Sequence, residues 1–170
     1  MITWDATWGP RYGVLPGYGI QMQNGFHDTF TGAAMGALEI GALPYAKGLL
    51  DHHFSNFVRD DGLINYRAQE VAESARMLTI LALYYSYTGD KELLLSHFEK
   101  AKAIALWLCA RRSVALNFEE GDPRSGIVQG YDEGDNFHFK MLHTANDSHF
   151  YSSSAEAYRG FVEIGEVWSV

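Results

Sequence analysis

The chain of 170 residues is 47% hydrophobic, enough for one domain with its own core and too much for a disordered chain. Its formal net charge of −8, from 21 acidic against 13 basic side chains, argues against nucleic acid and anionic membrane surfaces as partners, since both call for clustered Lys and Arg. Neutral or cationic partners fit better, the single cysteine excludes an internal disulfide, and no apolar run approaches the roughly 20 residues that span a bilayer.

Met1 to Gly25 is rich in Gly, Pro, Trp and Tyr and has no lasting period, so it reads as an irregular or extended lead-in. Trp4, Trp8, Tyr12 and Tyr18 there are either a stacking surface or a cover for the end of a helical core. The start lacks the basic and then apolar pattern of a signal peptide, which leaves a cytoplasmic chain or one with a processed or truncated N-terminus. A first helix is predicted from about Asp28 to Ile40, with Asp28 or Thr29 as its cap, and small residues Gly32, Ala33, Ala34, Gly36 and Ala37 for close helix packing. Gly41 ends it, and Pro44 suits the first turn of a second helix reaching about Phe57. A link from Arg59 to Tyr66 then crosses back.

From Arg67 to Arg112 the apolar spacing predicts two helices folded on one another around Thr88-Gly89-Asp90. Gly89 can take the left-handed conformation that closes a helix, and Asp90 can accept the free amide hydrogens that open the next. Cys109, inside the run Ala105 to Ala110, is expected to be a buried small hydrophobe. Ser113 to Phe150 loses the helical period, and Gly126 to Gly130 and Asn136 to Met141 read as short strands or extended loop segments. Helix returns at about Ser153, and the stop at Trp168-Ser169-Val170 within an apolar helical pattern suggests truncation.

These units repeat. Leu38-Glu39-Ile40-Gly41 is echoed by Val162-Glu163-Ile164-Gly165, and both stand where Tyr87-Thr88-Gly89 stands in the central hairpin. If the three are equivalent, the first helices of all hairpins run parallel. Their N-terminal ends, near His27-Asp28, Tyr66 to Glu70 and His149 to Tyr151, then meet on one face.

In order and spacing, Asp28-Thr29-Phe30, Tyr45 to Leu50, Asp61-Gly62-Leu63-Ile64 and Tyr84 to Asp90 resemble the six-hairpin glycosidases, the (α/α)6 toroids that include glucoamylase-like and debranching-type enzymes. The resemblance covers Gly25 to Arg112 and, more weakly, Asp122 to Val167. It implies a mainly α fold, with antiparallel helical hairpins of an incomplete toroid and a β-like loop insertion around 113–150. Six hairpins need roughly 350 residues at such repeat lengths, so residues 1–170 would form a single domain belonging to a larger toroid. His27 stands where such enzymes often carry Arg, and Glu73 where an Asp is expected, departures that bear on the substrate more than the fold.

Glycoside hydrolysis usually needs two carboxyl groups, one protonated to release the leaving oxygen and one ionised to activate water or attack. Three acidic sources stand at the expected face: Asp28, the pair Glu70 and Glu73, and the cluster Asp132-Glu133-Gly134-Asp135. The cluster is flanked by Tyr131, Phe137 and His138, and aromatic rings beside carboxylates suit a sugar. The plain reading of the cluster is a solvated acidic turn or a cation site. For Glu70 and Glu73 it is a first helical turn favoured by the dipole, with Arg76 pairing Glu73. The expected catalytic candidates are Glu133, Asp135, Glu70 and Glu73, with Tyr66, Arg67, Tyr131, Asp132, His138, His27 and Asp28 lining the sugar subsite.

The histidines form no recognisable metal motif, and neither a phosphate-cradling glycine loop nor a nucleophile elbow is present, so no cofactor or metal is expected. The reading is a carbohydrate-active enzyme, foremost a glycoside hydrolase. Its alternatives are a toroid lyase acting on uronates, with Arg67 neutralising the substrate carboxylate, and a non-catalytic helical-repeat module that binds glycan or protein. Expected partners are the carbohydrate and either the rest of the toroid or further copies covering apolar helix flanks.

Overall fold

Glycine, proline and aspartate decide where this chain turns. The computed structural model describes residues 2–5, 9–12, 27–64, 70–130 and 149–169, with side chains from residue 30 onward. The lead-in contains two strands, β1 (Ile2–Asp5) and β2 (Gly9–Tyr12), paired antiparallel from Ile2 opposite Tyr12 to Asp5 opposite Gly9. Helix α1 (His27–Glu39) stops at Gly41, whose φ of 75° places it in the left-handed region. There the Gly41 N–H donates to the Leu38 carbonyl at 3.1 Å and the Ala42 N–H to that of Ala37 at 2.8 Å, the paired bonds that close a helix on a glycine. With Pro44 in its first turn, α2 (Leu43–Asn56) begins at once and folds back on α1, setting the His53 ring 4.1 Å from that of Phe30.

The central hairpin forms as its turn residues require. Helix α3 (Val71–Thr88) ends at Gly89, φ 68°, and the Asp90 carboxylate accepts from the amides of Glu92 and Leu93 at 3.1 and 3.3 Å to start α4 (Lys91–Ser96). Twelve of the 18 residues of α3 are buried, nearly all round the helix, which marks it as the centre of the molecule. Its side chains join Phe30, Phe54, Leu49, Leu50, Ile104, Leu108 and Ile164 in one core.

The returning arm is not one helix. It breaks at His97 between α4 and α5 (Phe98–Ala115), because the buried His97 ring stacks on Phe54 at 4.9 Å and its Nε2–H donates to Asp51 Oδ1 at 2.9 Å. Helix α5 also runs past the expected end at Arg112, through Ser113, Val114 and the buried Ala115. The Ser113 hydroxyl donates to the Cys109 carbonyl at 2.9 Å, which keeps it within the helical pattern. Cys109 itself is exposed, not buried: it faces outward on α5, whose inner face is Ala101, Ile104, Ala105 and Leu108.

Residues 116–130 form successive turns, and the strand-like expectation for 126–130 reduces to a single bridge between Gln129 and His149. Asn136 to Met141 lies outside the described residues. The last helix, α6 (Tyr151–Trp168), starts slightly before Ser153 and passes through Gly165 without stopping. In the same position of their units Gly41 and Gly89 terminate helices, but here no Pro44 or Asp90 follows, and the buried Val167 keeps the helix docked for another turn.

Side-chain pairs establish the helix directions. Thr31 meets Glu73 near the starts of α1 and α3, and Tyr87 meets Glu39 near their ends. Arg76 meets Glu156 near the starts of α3 and α6, while Tyr85 and Val167 share a cleft near their ends. Thus α1, α3 and α6 run parallel, with α3 in the middle. At Gly160 an added Cβ would lie 2.7 Å from the Ala75 carbonyl oxygen, so α6 sits on α3 nearly backbone to backbone.

Candidate functional site at the aligned helix starts

The parallel row brings the N-terminal ends of three helices to one side of the molecule, and a buried polar network fastens them there. Glu73, in the first turn of α3, is 1% exposed. The Thr31 hydroxyl of α1 donates to its Oε2 at 3.0 Å, and Arg76 pairs with its Oε1. Arg76 also reaches α6, where its Nε lies 3.0 Å from Glu156 Oε1. One carboxylate and one guanidinium therefore tie all three helices together. Burial alone would lower the Arg76 pKa, but the Glu73 and Glu156 carboxylates outweigh it and raise the value above the ordinary arginine range.

Glu70 occupies the cap position of α3 and is also buried. Its backbone is held because its carbonyl accepts from the Ser74 amide at 3.0 Å and from the Ser74 hydroxyl at 2.8 Å. A carboxylate at a helix start is favoured by the dipole, so Glu70 and Glu73 both sit where negative charge is stabilised.

The segment leading toward the acidic cluster is rooted at this same end. Val128 N–H donates to the Ser154 hydroxyl in the first turn of α6 at 2.9 Å. Gly130, φ 133°, lies so close to α3 that an added Cβ would be 2.3 Å from Val71 Cγ2. Gln129 bridges His149, just ahead of α6. The turns before it are braced by Asp122, whose pKa falls to about 2 because Arg124 donates to it from its side chain and from its backbone amide. The Arg124 guanidinium in turn lies 4.1 Å over the Phe118 ring.

Among the expected site residues, Glu70 and Glu73 are thus together at the α3 start. His27 and Asp28 are described as the backbone of the first turn of α1. Tyr66, Arg67, Tyr131, Asp132, Glu133, Asp135 and His138 lie outside the described residues. The pairing of Glu73 with Arg76 follows from their spacing on one helix. Thr31 and Glu156 were not anticipated: neither lies near Glu73 in sequence, and no local pattern announces them.

Among the described residues no three His, Cys, Asp or Glu side chains come together to hold a metal ion, and no helix is long and apolar enough to cross a membrane. No family model, no curated protein and no solved structure matches the chain.

Proposed function

We propose that the chain is part of an (α/α)6 toroid and acts on carbohydrate, as a glycoside hydrolase with its sugar subsite at the aligned starts of α1, α3 and α6. The observation that supports this is the parallel row itself, which puts Glu70 and Glu73 at the end from which residues 130 and 149 lead into the stretch carrying Glu133 and Asp135. Two carboxyl groups supplied by different segments are what glycosidic cleavage uses, at about 6.5 to 9.5 Å for inversion or about 5 to 5.5 Å for retention.

In this reading the reacting pair is Glu70 or Glu73 with Glu133 or Asp135, and the Thr31 hydroxyl and Arg76 hold the Glu73 carboxylate in place at the rim. Tyr66, Arg67, Tyr131, Asp132, His138, His27 and Asp28 line the subsite. The remaining hairpins of the ring come from further chain or from other copies, covering helix flanks that are apolar here.

The test is release of reducing ends from a glycan panel by the complete protein, against Glu133→Gln and Asp135→Asn. Loss of turnover with unchanged helical circular dichroism is the expected result; full activity in both variants removes the cluster from the mechanism. Products that absorb through a new conjugated double bond, without hydrolysis, would replace the hydrolase by a lyase.

A further inference from the structure

Arg76 sits between two carboxylates at the aligned helix starts. It pairs with Glu73 on its own helix, and its Nε lies 3.0 Å from Glu156 Oε1 on α6. Among the described residues no third group reaches it. Glu73 is enclosed, but the Glu156 side chain is 22% exposed, and its Oε2 accepts no hydrogen bond among the described residues. Glu70, buried at the cap of α3, adds a further carboxylate. Glu70, Glu73 and Glu156 thus stand against one guanidinium, which two of them already hold. Arg124, in the turns rooted at this end, is paired in the same way with Asp122 at 2.7 Å.

We infer that Glu156 is a specificity-determining residue of this rim: by holding Arg76 it sets the subsite against sugars that carry a carboxylate and in favour of uncharged ones. The inference rests on the carbohydrate reading and names the substrate class within it. A uronate is recognised by a guanidinium whose donors are open to both of its oxygens. Here a uronate could approach Arg76 only alongside Glu73 and Glu156, placing three negative charges around one positive. In a partly desolvated site that repulsion rejects the anionic ligand without any contact to the right one. An uncharged sugar meets no such penalty, and its hydroxyls find an acceptor in Glu156 Oε2. Counting Arg67 of the proposed subsite as a second cation still leaves the carboxylates Glu70, Glu73 and Glu156 in excess over Arg67 and Arg76.

Calorimetric titration of the complete protein with matched trisaccharides tests this. Each pair shares a linkage and differs at C6: β-1,4-linked glucose against glucuronate, β-1,4-linked mannose against mannuronate, and α-1,4-linked galactose against galacturonate. In every pair that binds, the uronate is expected to bind at least about tenfold more weakly. Glu156→Gln removes the charge but keeps an acceptor for Arg76, and should narrow that gap at least about threefold, chiefly by strengthening uronate binding. Glu156→Asp keeps the charge and should keep the gap. Circular dichroism reports whether each variant folds, and the wild-type comparison stands without them. Uronates that bind wild type as well as their neutral counterparts overturn the inference and leave the carbohydrate reading standing. So does a gap that folded Glu156→Gln leaves unchanged. Binding of no saccharide in the panel overturns the carbohydrate reading and this inference with it.

Discussion

Glu73 shows how much one side chain carries at the rim. Its carboxylate is the shared acceptor of Thr31 and Arg76, and Arg76 extends the link to Glu156. In Glu73→Ala the Thr31 hydroxyl loses this bond and the half-buried guanidinium keeps Glu156 but loses its buried partner, at a cost of about 2–3 kcal/mol. Glu73→Gln keeps an acceptor oxygen and is expected to lose about half of that. A urea titration reads both, as a fall in midpoint with unchanged slope. A Glu73→Ala variant as stable as wild type would mean the network adds nothing to the fold. Asp90 supplies a second single-residue case. Lys47 donates to it at 2.7 Å and Tyr84 at 2.9 Å, and these bonds with the Leu93 amide lower its pKa to about 2. A carboxyl depressed in the folded state contributes stability that is complete above the ordinary value near 4 and is lost as pH falls toward about 2. Thermal melts of wild type and Asp90→Asn should therefore differ at pH 5 and converge near pH 2; a constant gap would contradict this. At this scale the sequence is half legible. Asp90 as a cap and Arg76 beside Glu73 follow from spacing, whereas Thr31 and Glu156 meet Glu73 only because three helices pack in one register.

Among the elements, two contacts that are invisible locally shape the molecule. The first is the break at His97. Burial lowers the pKa of the ring, partly offset by Asp51, while Lys100 adds to the lowering. A histidine held neutral in the folded state stabilises most above the unfolded value of 6.5, and that contribution is lost as pH falls below it. Melting temperature should decline more steeply from pH 7 to pH 5 in wild type than in His97→Gln; parallel declines would remove His97 as the cause. No reading of residues 91–112 reveals this break, because Phe54 and Asp51 come from α2, more than 40 residues earlier in the chain. The second contact is the seating of α6 on α3 through Gly160. Gly160→Ala drives a methyl group against the Ala75 carbonyl and is expected to cost about 1–3 kcal/mol. Gly48→Ala, in α2 with open space around it, should gain about 1 kcal/mol from helix propensity alone. Chemical denaturation of the pair checks the contrast, and equal effects would mean the α3–α6 contact is loose. Helix ends at Gly41 and Gly89 were legible because a glycine followed by Pro44 or Asp90 stops one helix and starts another locally. Gly165 lacks such a successor, and the helix runs through it.

For the whole molecule, function depends on direction. The parallel row of α1, α3 and α6 was foreseeable from the repeated hairpin signals at Gly41 and Gly89, even though the third signal does not behave as the first two do. What periodicity leaves open is which helices touch, and long-range pairs such as Thr31 with Glu73 and Arg76 with Glu156 supply that. The most direct measurement is a pair of spin-label distances in a Cys109→Ala background, from position 87 at the end of α3 to position 166 at the end of α6, and from 87 to position 151 at its start. A helix of 18 residues is about 27 Å long, so with α6 parallel to α3 the distance from 87 to 166 should be shorter than that from 87 to 151 by on the order of 20 Å. The reverse order would set α6 antiparallel to α3, take its start away from Glu70 and Glu73, and contradict the proposed sugar-cleaving rim.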